Sequence, residues 1–306
     1  MYYFIINPAS KSGLGKKIWS ELESILIKKQ IVYKFYYTKG PFHAAALVRE
    51  ILQFSGEKHI VVVGGDGTLN EAANGFSSYE GVTLTYIPSG SGNDFARGIG
   101  ISGSASSLLT HLLESPVTKY YDQGICRIPN SQTNRKFTIS CGIGFDAVIC
   151  WEALHSPLKK VLNKMHLGKL TYLGIALKQL FLYKEEDVTL LIDENIRRKF
   201  TKVLFIAAMN QPYEGGGFKM VKETNSQDGL LSIAVFHNMS KAKALFMLLF
   251  IVLGLQNHVK GFETFSCRSL EVHTKTPQIV HTDGEYAGTT RCLHIEMDAL
   301  KIKYLE

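Results

Sequence analysis

The chain has 306 residues, 45% of them hydrophobic and 20% charged, with a formal net charge of +7. That length suits two domains of ordinary size, and the composition is that of a soluble globular protein. The positive balance favours anionic partners in general and does not choose among nucleotides, lipid head groups and nucleic acid. Five cysteines without a C-x-x-C pair suggest neither a disulfide framework nor a zinc site, and they fit reduced thiols in a cytoplasm.

The opening MYYFIINPAS has no basic leader, long apolar core or cleavage site, so it reads as a first strand over residues 2–6. Apolar residues at Ile18, Leu22, Ile25 and Leu26 put a helix over 17–29. A strand at 32–37, a helix at 42–54, and a continuous β-branched strand at 59–63 follow. A helix at 68–76 and a strand at 83–87 continue the alternation, which argues for a parallel sheet with helices on both faces.

The third strand runs into Gly64-Gly65-Asp66-Gly67-Thr68-Leu69-Asn70-Glu71, with three glycines in four positions. Glycines there permit positive φ and remove Cβ atoms, and a helix N-terminus adds free N–H donors and partial positive charge. That is a phosphate site. Asp66 would repel phosphate unless a cation stood between them, which suggests magnesium. The competing reading is a plain capped turn. Gly13-Leu14-Gly15 lacks the third glycine of G-x-G-x-x-G, and Gly15-Lys16 lacks the Ser or Thr of a P-loop, so both are rejected. A second turn, Ser89-Gly90-Ser91-Gly92-Asn93-Asp94, again follows a strand and precedes a helix, and can complete a nucleotide crevice.

Beyond Gly124 short strands at 137–141, 188–192, 202–208, 230–236, 270–273 and 293–297 suit an antiparallel sandwich. Helices at 157–183 and 241–258 interrupt it. The expected architecture is therefore α/β plus β. An N-terminal α/β domain with a parallel sheet spans 1–124, and an antiparallel β-sandwich-like domain with inserted helices spans 125–306. The C-terminal segment has the option of packing back on the first domain. Asp283 lies where the strand Gln278 to Thr282 enters an Asp-Gly turn, and a hairpin is the bland explanation of that pair. The helix around 244–255 is apolar nearly all round, which suggests burial. The 157–183 helix carries Leu177, Leu180 and Phe181 behind Lys159, Lys160, Lys164 and Lys169, a mixture that an anionic interface attracts. Core packing is the alternative for both, and His155 and His166 read as surface residues. The apolar run of about 12 residues is short of the roughly 20 that a spanning helix needs.

These motifs resemble the soluble bacterial diacylglycerol kinases and related lipid kinases, which share a catalytic domain with sphingosine and ceramide kinases and are more distantly similar to NAD kinases. The resemblance covers essentially the whole chain. It rests on Asn7-Pro8-Ala9-Ser10, the Gly64–Glu71 turn, Ser89 to Ala96, Asp122-Gln123-Gly124, Asp228-Gly229-Leu230 and Asp283-Gly284-Glu285. It implies ATP held by Asn7, Pro8, Ala9, Ser10, Lys11, Thr38, Gly65, Asp66, Gly67, Thr68, Leu69, Asn70, Glu71 and Ser91, with Glu285 facing the nucleotide. It also implies catalytic Mg2+ held by Asp66, Asp94 and Asp122, partly through water, and Asp283 as general base. A structural Mg2+ would be bound by the Asp228 side chain and by backbone oxygens at Asn225 and Leu230. The implied activity is ATP-dependent phosphorylation of a lipid hydroxyl, with diacylglycerol foremost. The alternatives are an NAD kinase-like enzyme and a non-catalytic nucleotide-sensing membrane adaptor. The expected location is cytoplasmic, peripheral to the inner face of an anionic membrane that supplies the lipid substrate, with no nucleic acid partner. A homodimer is left open.

Overall fold

The computed structural model describes residues 1–129, 134–155, 168–253 and 255–306. The chain forms two compact units, 1–123 with 299–306, and 124–298.

Unit 1 runs β1 (Tyr2–Ile6), α1 (Ser10–Gly13), α2 (Gly15–Lys28), β2 (Tyr33–Tyr37), α3 (His43–Leu52), β3 (Lys58–Gly64), α4 (Asp66–Ala73), β4 (Val82–Pro88), α5 (Asp94–Gly98), α6 (Ala105–Glu114) and β5 (Thr118–Tyr121). Its sheet order is β2-β1-β3-β4-β17-β5, where β17 (Ile302–Leu305) comes from the end of the chain. All pairings are parallel except β17 with β5. Ile60 to Val63 are fully buried, as a strand covered on both faces requires. Helix α2 turns Trp19, Leu22 and Leu26, three and four residues apart, onto Phe4, Val61 and Val63. Helix α4 begins at Asp66, two residues before the expected start, because Thr68 N–H and Leu69 N–H already bond the Gly65 carbonyl.

Unit 2 runs β6 (Gly124–Arg127), β7 (Arg135–Phe137), β8 (Ser140–Gly144), α7 (Phe145–His155), α8 (Gly168–Leu182), β9 (Glu186–Ile192), β10 (Ile196–Met209), β11 (Tyr213–Glu214), β12 (Phe218–Lys219), β13 (Leu231–His237), α9 (Lys241–Leu253), β14 (Phe262–Cys267), β15 (Ser269–Thr282) and β16 (Glu285–Met297). A nine-stranded antiparallel sheet follows the path β14-β13-β10-β8-β15-β16-β6-β7. Strands β8 and β9 each bridge the two longest strands, β10 and β15, at different points along them. Alternation along β10 sends Ile206 and Ala208 into one core and Phe205, Ala207 and Met209 into another, which α8 and α9 cover.

The helix expected over 241–258 ends at Leu253, and a 3-10 turn occupies Gln256–His258. Of the helix expected over 157–183, the described part is α8. Lys159, Lys160, Lys164 and His166 lie outside the described residues. His155 is exposed. No helix among the described residues is long and apolar enough to cross a membrane.

Candidate functional site

In unit 1 the turns after β1, β3 and β4 meet at the carboxyl edge of the sheet. Strands β1 and β3 are neighbours, while β1 is followed in sequence by β2 on its other side, so the direction of winding reverses between them. Crevices at such a reversal are where open α/β sheets bind ligands. The Asn7 amide donates to Thr68 Oγ1 at 3.0 Å, and its oxygen accepts from the Ala9 N–H at 3.0 Å. Ser10 and Ser89 hydroxyls meet at 2.9 Å in a buried contact, which ties the first turn to the third. Lys11, at φ 48°, is exposed, and so is Ser91. Thr38 N–H bonds the Ile6 carbonyl at 2.8 Å, which places it beside the same edge. Glu71 accepts from the Ala44 N–H at 3.2 Å and so caps α3, while Leu69 and Asn70 are buried on α4.

The glycines of these turns permit positive φ. None of Gly64, Gly65, Gly67, Gly90 or Gly92 has it. What their missing side chains allow is contact between loops: a Cβ on Gly90 would stand 2.6 Å from the Gly65 Cα. The two turns touch backbone to backbone, and only glycine fits at that distance.

Asp66 binds across this contact. Its carboxylate accepts from the Asp94 N–H at 3.0 Å and the Phe95 N–H at 3.3 Å, the first donors of α5, and from the Tyr86 hydroxyl at 3.5 Å. These donors offset its charge. Tyr86 is held well above its ordinary pKa by burial and by Asp66. Asp94 is buried and pairs with Arg97 at 2.5 Å, and Asp122 is buried and pairs with Lys301 at 2.6 Å. Among the described residues no three His, Cys, Asp or Glu side chains gather to hold a metal ion. Magnesium carried by nucleotide phosphates needs only one or two protein carboxylates, and Asp66 and Asp94, on the two adjoining turns, offer hard oxygen donors of that kind.

In unit 2 Asp283 and Gly284, at φ 50° and 80°, form the two-residue hairpin between β15 and β16, and Glu285 opens β16. Asp283 also does more than turn the chain. One oxygen accepts from the Thr138 N–H and hydroxyl, both at 2.9 Å; the other accepts from the Ile139 and Ser140 N–H groups at 2.8 and 2.9 Å. A carboxylate offers about four acceptor directions, so Asp283 takes a substrate proton only by releasing one of these bonds.

Beside it lies a cluster that sequence reasoning missed. His281 is fully buried, and its Nε2 stands 3.2 Å from Asp146 Oδ2 and 3.4 Å from Glu214 Oε1. Ser140 donates to the same Glu214 oxygen at 2.7 Å. Burial opposes charge on His281, but Asp146 and Glu214 favour it and raise its pKa to about 9. The Gly284 N–H, 3.2 Å from Nδ1, favours the neutral ring instead. Gly142 makes room, since a Cβ there would meet Asp146 and His281 at 2.1 and 2.3 Å. No motif marks these residues, and their partners are separated by 135 and 67 positions in the chain.

In the loop expected to hold a structural metal, two side chains cap backbone N–H groups. Asn225 accepts from the Gln227 N–H at 3.1 Å, and Asp228 accepts from the Leu230 N–H at 2.9 Å.

The diacylglycerol kinase catalytic domain profile matches residues 1–121, and the YegS C-terminal NAD kinase beta sandwich-like domain profile matches residues 146–302. The chain belongs to the diacylglycerol-kinase-like lipid kinase family. YtlR of Bacillus subtilis, named as a candidate lipid kinase, is 28% identical over 94% of both chains. A diacylglycerol kinase of Staphylococcus aureus is 24% identical over 93% of this chain and 85% of its own. The crystal structure of a candidate diacylglycerol kinase from Bacillus anthracis shares the fold, with TM-score 0.75, 22% identity and coverage of 99% and 94%. An NAD kinase from Archaeoglobus fulgidus, solved with ATP, matches at TM-score 0.51 and 14% identity over 100% and 92%.

Proposed function

We propose that this family member is an ATP-dependent kinase that transfers the γ-phosphate to the hydroxyl of a membrane lipid, diacylglycerol being the leading acceptor and phosphatidic acid its product. The observation that carries the reading is the contact of the Gly65 and Gly90 turns, locked by Asp66 across the N-terminus of α5. Phosphoryl transfer requires positioning and charge neutralisation more than covalent chemistry. In this reading Asn7 to Lys11, Thr38, Gly65 to Glu71 and Ser91 position ATP. Asp66, Asp94 and Asp122 would hold magnesium, partly through water, and the ion would neutralise phosphate charge.

In unit 2 Asp283 accepts the acceptor's proton at one carboxylate oxygen, and the Thr138 hydroxyl is the donor that gives way, since backbone N–H groups in the same turn are fixed. Glu285 follows on the same hairpin, at the start of β16. The loop at Asn225, Asp228 and Leu230 is the place for a structural cation. The protein works from the cytoplasmic side of a membrane, bound peripherally to anionic lipid.

The test is transfer of labelled γ-phosphate from ATP to a panel of lipid alcohols in mixed micelles, with NAD as a parallel acceptor. Phosphorylation of a lipid, abolished in Asp66→Ala, supports the reading. Labelled NAD without labelled lipid identifies an NAD kinase-like enzyme, and ATP binding without turnover identifies an adaptor.

A further inference from the structure

Helices α7, α8 and α9 cover one core of unit 2 with their inner faces, through residues such as Phe145, Ala176, Leu180, Met247 and Ile251. Their outer faces also carry apolar side chains. The expectation that the 244–255 helix is buried all round fails: Leu245 and Phe246 are exposed, the latter at 62%. At the end of α8, Phe181 and Leu182 are 68% and 61% exposed, and Trp151 and Leu154 stand out from α7. Unit 2 has nine exposed large hydrophobic side chains among the described residues, and seven of them belong to these helices or to the turn after α9. Scattered exposure is normal for a folded protein, but a cluster of this kind marks an interaction face.

The face is continuous. The Lys241 ammonium at the start of α9 donates to the Phe181 carbonyl at the end of α8, at 2.7 Å. Lys241 and Leu245 lie one turn apart on the exposed side of α9, and Lys178 lies nearly one turn before Phe181 on α8. With Lys184 and Lys243, four lysines border the apolar residues, and Glu152 and Glu185 are the acids beside them, Glu152 facing Lys178. Apolar side chains bordered by lysines match the lipid–water interface, and among the described residues no helix is long and apolar enough to span. Helix α7 links this face to the carboxylates. Asp146, against His281, is in its first turn, and Leu154 is roughly 12 Å further along the helix axis.

We propose that the outer face of α7, α8 and α9 seats the protein on an anionic bilayer, with Phe181, Leu182, Leu245 and Phe246 entering the head-group layer and the lysines meeting lipid phosphates. This rests on the lipid-kinase reading, since an acceptor dissolved in a bilayer has to be met at its surface.

The wild-type chain supplies its own probe. It has two tryptophans, of which Trp19 is buried and Trp151 stands on the proposed face. Vesicles of phosphatidylcholine with phosphatidylglycerol should shift Trp emission to the blue and co-sediment the protein; vesicles of phosphatidylcholine alone should do neither. The exposed pair Phe181→Ser with Phe246→Ser should lower partitioning by about tenfold or more at unchanged melting temperature. It should also keep the wild-type rate on a short-chain, water-soluble diacylglycerol while losing rate on vesicles. Unchanged emission in the wild type, or unchanged partitioning in the double variant, overturns the proposal. So does a wild-type dimer that the double variant makes monomeric without any vesicle binding, which would identify a self-interface. If wild type phosphorylates no lipid but still binds vesicles through Phe181 and Phe246, the kinase reading fails and the docking face stands.

Discussion

At residue scale the informative group is Asp283. Asparagine keeps its size and suits a left-handed turn, but its NH2 would face N–H donors at Thr138, Ile139 or Ser140. Asp283→Asn should therefore destabilise unit 2 by about 2–3 kcal/mol, the order of a lost charge-assisted bond plus an unpaired donor. It should also lower kcat by roughly 10²–10⁴-fold if a base is removed. Thermal melting and steady-state kinetics on this variant separate the two effects; an unchanged melting temperature would contradict the bonding described. His281 makes a second prediction. Its folded pKa, about 9, lies above the unfolded value of 6.5, so its stabilisation is complete below pH 6.5 and is lost as pH rises through 9. The melting temperature should fall across that window, and His281→Gln should flatten the fall. A wild-type melting temperature that is constant from pH 6.5 to 9 would show that the ring is neutral throughout.

At the scale of elements the two glycine turns act as one device. Gly90→Ala puts a Cβ 2.6 Å from the Gly65 Cα, whereas ordinary contact begins near 3.4 Å, so one turn must move by most of an ångström. A shift of that size should lower kcat/KM for ATP by roughly 10–100-fold. Gly40→Ala, where nothing lies within 4 Å of the added methyl, is the matched control and should be neutral. Equal kinetics in the two variants would remove the loop contact from the mechanism. Strand β17 carries a similar argument. The Tyr304 hydroxyl accepts from the Tyr86 N–H at 3.1 Å and donates to the Tyr86 carbonyl at 3.2 Å, all buried. Tyr304→Phe strands both groups and should cost about 2–4 kcal/mol, read from the midpoint of denaturant unfolding.

At the scale of the whole molecule the chain leaves unit 1 at Gln123 and returns to it at Ala299. Strand β17 then sits between β4 and β5, where Lys301 pairs with Asp122 and Gln123 donates to the Leu300 carbonyl. Truncation after Asp298 therefore removes an inner strand, not a tail. Unit 1 should lose cooperative melting and ATP binding together, measured by calorimetry and nucleotide titration; a truncated chain that still binds ATP would refute this.

The sequence by itself determined what local patterns determine. Buried β-branched runs alternating with amphipathic helices specified the parallel sheet. Two strand–glycine–helix junctions specified that Gly65 and Thr68 would lie beside Ser89 and Asp94, because each junction is written within about ten neighbouring residues, while Asn7 was placed there only by family resemblance. The Asp283-Gly284 hairpin was legible for the same reason. The tertiary structure alone decided which groups face one another across long separations. Gly65 meets Gly90, Asp283 sits in the amides of 138–140, and His281 is enclosed by Asp146 and Glu214, contacts that depend on strand register and leave no periodic trace. It also decided that a helix apolar all round buries one side and exposes Leu245 and Phe246 on the other, since hydrophobicity says that a face seeks an apolar partner and only packing says which face has found one.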